Sequence, residues 1–557
     1  MTKQTGAAAV ASVLAQAGIR RAFGIPGQRI LPLFHEMANE HGIPVVLTRH
    51  EQGAAFMADM HARLGGIGCC LATSGPGAIN LLTGLAASYM DSVPVLALTA
   101  QAATHEFGRY GIQEGTGIGR TPDIRAMFAS TTKGSFQPTS VEQLIPDLTA
   151  ALRLATEGRP GPVHVDIPSD LLLDLVPERI EPSPAAETFP APAAVRATED
   201  ELRTLDAAVR QARRPLLLIG NGVARSGALD DALALARSRD MAVAGTFLAK
   251  SVLDETDPRV LGPVGVFGTR AANEAFHHEA DLVVALGVAF TYLSTAGWPD
   301  TLRGDRVVRI NNDRRELEAN AEFGQGILGD AADVVRRLAA LPPGPAAGGL
   351  AWATDMRRRL PDQVEASRST ALHPVTVCET LNRHLDHRTT VVADIGQNAY
   401  WGERHLRTRG DNRFIINGGL GTMGHAVAGA TGAWMARADE HPDEHVICVC
   451  GDGGFMMGAL EISTAVAERA DVTWVIFNNG TLGTQRAWFE REGHPVVAAD
   501  LPPTDHVLLA RSLGAHAETV RTADELDTAL RSARATGGPS VLDVLIDPCP
   551  APEAYQP

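Results

Sequence analysis

Two short segments of the sequence carry the atoms needed to hold an anion beside a hard metal ion. Gly451-Asp452-Gly453-Gly454 follows the apolar run Val446–Cys450, and Asn478-Asn479-Gly480-Thr481 follows the apolar run Val472–Phe477. Glycines at a strand end let the main chain approach phosphate groups closely, and the first turn of a following helix offers free N–H groups and a favourable dipole. Asp452 and the Asn479 amide supply hard oxygen ligands, and the Thr481 carbonyl adds a third. Two phosphate oxygens and a water would complete an octahedron around Mg²⁺. A glycine–aspartate–glycine turn alone is common; followed by the asparagine pair, each after a buried strand, it points to a diphosphate held with magnesium.

Other segments offer chemistry whose meaning depends on context. Arg49-His50-Glu51-Gln52-Gly53 follows the strand-like Pro44–Leu47, although a lone glutamate after a strand is ordinarily a solvated one. Gly419-Leu420-Gly421-Thr422-Met423-Gly424 satisfies the GxGxxG pattern of dinucleotide folds, a weak signal by itself. Ser74 stands among glycines in Thr73–Asn80, but the GxSxG elbow is not met, so a serine hydrolase is rejected. His35, His105, His425 and His494 are candidate proton carriers, of which His425 is the most interesting because it lies two residues past Met423.

These segments need strands to end where they begin. Val93–Leu98, Pro215–Ile219, Asp281–Leu286, Val446–Cys450 and Val472–Phe477 are short apolar runs alternating with helical patterns, the signature of buried parallel strands in doubly wound α/β domains. A helix is expected from Phe455 to about Arg469. Proline-rich passages at 176–192 and 341–349 cannot continue a helix or a central strand and read as linkers. The expected organisation is three α/β domains, at 1–178, 195–342 and 355–557. Ligands on such sheets bind at the carboxyl ends of the strands, where the informative residues lie.

Composition narrows the class. The chain has 557 residues, 45% apolar and 20% charged, with a net charge of −16, which argues against nucleic acid or an anionic membrane as the main partner. Six cysteines without CxxC or disulfide-framework spacing fit a reducing, cytoplasmic setting. Met1–Gly18 has some features of a signal peptide but reads better as a first helix capped by Thr5 and stopped at Gly18.

Taken together, the motifs resemble those of the thiamine-diphosphate-dependent enzymes, and most closely the acetolactate synthase large subunit. The resemblance spans the chain and includes Asp91-Ser-Val-Pro94, Gln113-Glu114 and Arg159–Val163. It implies that Glu51 hydrogen-bonds the cofactor's pyrimidine and starts catalysis. It further implies that Met423 is the wedge beneath the thiazolium and that the Gly421 carbonyl accepts from the cofactor's amino group. Gly396-Gln397-Asn398 would be a second diphosphate-contacting segment, and Gly27 and Ser74 would join the cofactor site. Gln113, Gln28 and Trp488 would face the reacting substrates. The implied assembly is a homodimer or homotetramer, with each active site built between subunits.

The implied activity is carboligation: a carbanion equivalent formed from a 2-oxo acid, usually with loss of CO₂, is added to a carbonyl acceptor. Simple decarboxylation to an aldehyde, as in benzoylformate decarboxylase, is the alternative, since Asn479-Gly480-Thr481 resembles that subgroup; a non-catalytic cofactor-binding relative is a remote third. Three departures bear on substrate. The family's glycine pair is Gly27-Gln28 here, its lysine is Ser169, and its Arg-Phe-Asp-Asp-Arg segment is Ala289-Phe-Thr-Tyr-Leu293. Loss of both arginines argues against a 2-oxo-acid acceptor and against bound FAD.

Overall fold

The computed structural model describes residues 4–177, 194–342, 344, 347–362, 371–410, 412–548 and 552–557. Most of the first proline-rich passage, residues 343 and 345–346 of the second, and Cys549 lie outside the described residues.

Among the described residues, eighteen strands form three six-stranded sheets. The first contains β1 (Ala22–Gly24), β2 (Val45–Leu47), β3 (Gly68–Ala72), β4 (Val95–Gln101), β5 (Ser135–Phe136) and β6 (Val163–Pro168). The second contains β7 (Pro215–Ile219), β8 (Ala242–Thr246), β9 (Val260–Val264), β10 (Leu282–Leu286), β11 (Val307–Asn311) and β12 (Gln325–Leu328). The third contains β13 (Thr389–Ala393), β14 (Arg413–Ile416), β15 (His445–Gly451), β16 (Val472–Asn478), β17 (His516–Val520) and β18 (Ser540–Leu545). Every ladder within the sheets is parallel. β4 begins two residues later than the apolar run suggests; Pro94 has no N–H to donate, and its carbonyl accepts from Gly68 N just ahead of the ladder.

A parallel strand covered on both faces should send alternate residues into different cores. β15 does so: Ile447 and Val449 join one buried cluster with Val475 and Phe477, while Val446, Cys448 and Cys450 join another with Trp474 and Ile476. The strand orders are β2-β1-β3-β4-β6-β5, β12-β11-β10-β7-β8-β9 and β14-β13-β15-β16-β18-β17. The first and third sheets therefore share one order, and in each the direction of winding reverses beside the first strand, at β1/β3 and at β13/β15. Such a reversal leaves a crevice at the carboxyl ends of the strands.

The helix after the second strand of the first sheet, Glu51–Leu64, packs against its counterpart in the third, His425–Ala438. Small residues permit the close approach: a Cβ on Gly432 would stand 2.2 Å from the Met57 carbonyl oxygen, and one on Gly429 would stand 2.6 Å from Met60 Cγ. The opening helix, Gly6–Gln16, is capped by Thr5, whose hydroxyl accepts from Ala8 N, and Gly18 follows it at φ 77°. The expected helix 455–469 is corrected in two respects. It starts at Asp452, and a 3₁₀ turn at Ala459–Glu461 splits it into Asp452–Gly458 and Ile462–Glu468. Among the described residues no helix is long and apolar enough to cross a membrane.

Candidate active site

The crevice at β13/β15 opens as a cleft. The segment after β13 contributes Gly396, Gln397 and Asn398 to its wall, the segment after β15 contributes Gly451–Gly454, the segment after β16 contributes Asn479 and Thr481, and Met423 enters from the loop after β14. Asn398 ties two of these segments together by donating from Nδ2 to the Asp394 carbonyl at 2.7 Å and to the Val449 carbonyl at 3.1 Å. Asp452 is buried, and its carboxylate accepts from Gly453 N at 3.0 Å and from Gly480 N at 2.8 Å. Burial pushes its carboxyl above the ordinary range, only partly offset by those N–H groups and His506. A cation in the cleft would relieve that cost. The Asn479 Oδ1 accepts from Thr481 N at 3.2 Å, closing a tight turn around Gly480, whose φ is 69°.

Among the described residues no group of three or more His, Cys, Asp or Glu side chains gathers to hold a metal. A cation in this cleft would take one carboxylate, one amide oxygen and one main-chain carbonyl, and would leave positions for ligand oxygens. That donor set suits Mg²⁺.

Asp394 is a structural partner that sequence reading passed over. It is buried at the end of β13, accepts from Gly424 N at 2.8 Å and from Ala426 N at 3.0 Å, and stands where a Cβ on Gly454 would reach it at 2.2 Å. Burial pushes its carboxyl up to about 6, against the pull of the two N–H donors. It fixes the Met423 loop against the Gly451–Gly454 turn. Its only sequence signal is its place between an apolar strand and Gly396.

The matching crevice at β1/β3 collects a second set of residues. A Cβ on Gly27 would lie 2.3 Å from Thr73 Cβ, so the two strand-end loops touch. Ser74 is buried and donates to the Gln113 amide oxygen at 3.2 Å; Gln113 itself has φ 60° and is exposed. Glu51 opens its helix, and Asn80 Nδ2 donates to Glu51 Oε2 at 2.9 Å. A Cβ on Gly77 would stand 3.3 Å from Glu51 Oε1. Arg29 crosses the rim: it pairs with Glu106 at 2.7 Å, donates to the Ile112 carbonyl at 3.0 Å and reaches Ser169 Oγ at 3.4 Å. It thus ties down the residue before Gln113.

The chain does not bring all the candidates into one place. Glu51, Gly27, Gln28, Ser74 and Gln113 belong to the first sheet and are absent from the wall of the third-sheet cleft, as is Gly421, which sits in the exposed loop before Met423. Trp488 is exposed on the helix Gly483–Arg491 and meets Phe489 and His494 rather than the cleft. Gln28 is likewise exposed. His425 is buried, 1% exposed, and its Nε2 lies 3.0 Å from Asp59 Oδ1, away from the cleft lining.

Comparison with known proteins bears on the same three sheets. Residues 4–119 match the "Thiamine pyrophosphate enzyme, N-terminal TPP binding domain", 202–338 the central domain, and 394–544 the "C-terminal TPP binding domain". The chain belongs to the thiamine pyrophosphate (thiamine diphosphate) enzyme family. Within that family it is 34% identical to the "Probable acetolactate synthase large subunit" of Methanocaldococcus jannaschii, over 98% of this chain and 92% of that protein. It is 31% identical to the acetolactate synthase isozyme 1 large subunit of Escherichia coli, over 98% and 94%. It is 32% identical to the acetolactate synthase large subunit of Corynebacterium glutamicum, over 98% and 87%. The cleft at β13/β15 thus lies in the C-terminal cofactor-binding domain of a thiamine-diphosphate enzyme, and the Glu51 crevice lies in the N-terminal one.

Proposed function

We propose that the chain is a thiamine-diphosphate- and Mg²⁺-dependent carboligase that removes CO₂ from a 2-oxo acid and adds the remaining acyl unit to a second carbonyl compound. The observation that carries this reading is the cleft at β13/β15, where the buried Asp452, with Asn479 and Thr481, lines one glycine-rich wall. When bound, thiamine diphosphate supplies a nucleophilic thiazolium carbon and an electron sink for decarboxylation. Asp452, Asn479 and the Thr481 carbonyl hold the metal, and the amides of the Gly451–Gly454 and Gly396–Asn398 segments hold the diphosphate. Met423, which lines the cleft, would support the cofactor's rings, and the Gly421 carbonyl in the adjoining loop would accept from its amino group.

Glu51 would hydrogen-bond the cofactor's pyrimidine and move a proton there. Asn80 occupies one of its oxygens and leaves the other to a ligand. As the family resemblance implies, the proposed active site lies between two copies of the chain, with Glu51 of one facing the cleft of the other, in a homodimer or a homotetramer. The exposed Met456, Met457 and Leu460, just beyond the cleft turn, and the exposed Leu47 and Ile79, flanking Glu51, form apolar surface suited to that contact. Gln28 and Gln113 face the substrates, and Trp488 borders the acceptor side. The acceptor is a neutral carbonyl compound such as an aldehyde, because Ala289–Leu293 presents no cation and places Tyr292 at the surface. The proposal includes no flavin for the same reason. The setting is cytoplasmic, where the five described cysteines, all buried and unpaired, stay reduced.

The test is incubation with thiamine diphosphate, Mg²⁺ and a panel of 2-oxo acids, with and without aldehydes, following CO₂ and products. Acyloin formed when the acceptor is present supports the proposal. Free aldehyde alone would replace it with simple decarboxylation.

A further inference from the structure

The carboxylate proposed to start the chemistry does not set its own direction. Glu51 is the first residue of its helix, and the main chain just before it leaves β2 through Thr48, Arg49 and His50. Two N–H groups of that passage point at one side chain of the third domain. Arg49 N donates to Glu461 Oε1 at 3.0 Å and to Oε2 at 3.2 Å, and His50 N donates to Oε1 at 3.0 Å. Glu461 is only 3% exposed, and its remaining capacity is met by Thr464 Oγ1 at 2.7 Å. The Arg49 side chain follows the same route, its Nε donating to Ser463 Oγ at 2.8 Å.

A buried carboxylate is costly unless fully hydrogen-bonded, so its place under this passage constrains both partners. The fit is tight: a Cβ on Gly53 would meet Glu461 Oε1 at 2.2 Å, so only glycine lets the Glu51 helix approach. The interruption of the helix that opens at Asp452 falls at Glu461 itself, the last residue of the 3₁₀ turn. One run of chain therefore begins in the cleft and ends beneath the approach to Glu51.

We propose that Glu461 is a positioning residue for Glu51, fixing the main chain of Arg49 and His50 so that the Glu51 carboxylate is presented at the angle the cofactor needs. The inference rests on the role proposed for Glu51. Two substitutions separate it from general packing. Glu461→Gln keeps an oxygen in place for both N–H groups, and its amide can donate to Thr464, whose hydroxyl already reaches the Leu47 carbonyl at 3.3 Å. Glu461→Asp keeps the charge but withdraws the oxygens by one methylene.

The experiment has two arms. In the full-length chain without cofactor, amide hydrogen exchange is measured at Arg49 and His50. In the chain loaded with thiamine diphosphate and Mg²⁺, exchange of the thiazolium C2 proton into D₂O is measured. E461D is expected to speed amide exchange by about tenfold or more and to slow C2-proton exchange by a similar factor, while E461Q stays within about threefold of the wild type in both. The double variant E51Q/E461D is expected to be no slower in C2 exchange than E51Q alone, because Glu461 acts only through Glu51. If E461D does not fold, Thr464→Val, which removes one donor from Oε2, should move both readings the same way by a smaller factor. Unchanged amide exchange in the shortened variant, or losses that multiply in the double variant, would overturn the proposal. A wild-type chain that binds no thiamine diphosphate would overturn the functional reading instead, and the cofactor-free arm would still decide whether Glu461 holds the Arg49–His50 backbone.

Discussion

His425 Nε2 lies 3.0 Å from Asp59 Oδ1, and this contact joins the first residue of the third domain's helix His425–Ala438 to the middle of the first domain's helix Glu51–Leu64. Arg63 extends it: the guanidinium meets Asp59 at 2.6 Å and Asp91 at 2.8 Å, and donates to the Ile416 carbonyl at 3.1 Å. Asp91 in turn accepts from Gly419 N at 2.9 Å. The loop carrying Met423 is thus pinned at both ends by carboxylates, from Asp394 within its own domain and from Asp91 across the domain boundary.

Removing one charge from this buried network leaves the others without a partner. Asp59→Asn is expected to destabilise the chain by about 3 kcal/mol in denaturant unfolding. Burial works against the Asp59 carboxylate, but Arg63 and His425 outweigh it and hold its pKa far below the ordinary range. A group depressed in the folded state contributes stability that is complete above its unfolded pKa, near 4, and is lost as pH falls below it. The variant should therefore lose the wild type's drop in stability below about pH 4, as read from unfolding midpoints across pH.

Glu403 predicts the opposite slope. It is buried on the helix Gln397–His405 beside the cleft, and burial pushes its carboxyl up to about 8, with Lys250 and Arg404 offsetting this only in part. Between the ordinary glutamate value near 4.3 and about 8, the folded chain holds a proton that the unfolded chain has released, so stability falls as pH rises through that window. Glu403→Gln is expected to flatten this slope and to raise stability at pH 8 by on the order of 2 kcal/mol. Thermal unfolding from pH 5 to 9 measures both.

Glu51→Gln preserves the shape of the side chain and its contact with Asn80. Thiamine diphosphate affinity, measured by calorimetry, is expected to stay within about threefold of the wild type, while turnover falls by about 100-fold or more. Undiminished turnover would remove Glu51 from the mechanism.

Asp452→Ala removes the one carboxylate of the proposed metal site. Cofactor affinity in the presence of Mg²⁺ is expected to fall by about 100-fold or more, and EDTA should lower wild-type affinity to that of the variant. An Mg²⁺ response equal in the two proteins would place the metal elsewhere or nowhere.

Much of this arrangement is legible in the residue order. The apolar runs ending at Leu286, Cys450 and Phe477 specify buried strands, because a strand covered on both faces has no polar face to show. Glycines and hard oxygen ligands directly after such strands mark a cleft, because that is where main chain is free to turn. The local segments around Asp452 and Asn479 could be singled out on those grounds, as could the capped first helix, whereas Glu51 stands out only through the family resemblance.

What the residue order leaves open is which buried polar group meets which. Glu461 reads as one more helical glutamate, yet it receives N–H groups 412 and 411 positions away. Asp394, Asp59 and Asp91 likewise gain their meaning from partners in other loops. Periodicity reports that a face is covered, not by what, although the break in the helix from Asp452 does have a local signal, since its first segment ends at Gly458. Trp488 depends on the fold in another way: in the single chain it is exposed beside His494, so its proposed place at the acceptor side requires a second copy of the chain. The strands follow from the sequence alone, since they rest on local propensity and burial, and the ligand class follows from motifs whose meaning the family resemblance supplies. The pairing of helix 51–64 with helix 425–438, and with it the placement of every catalytic candidate, was decided by tertiary packing, because only there do the small residues and buried charges of distant segments find one another.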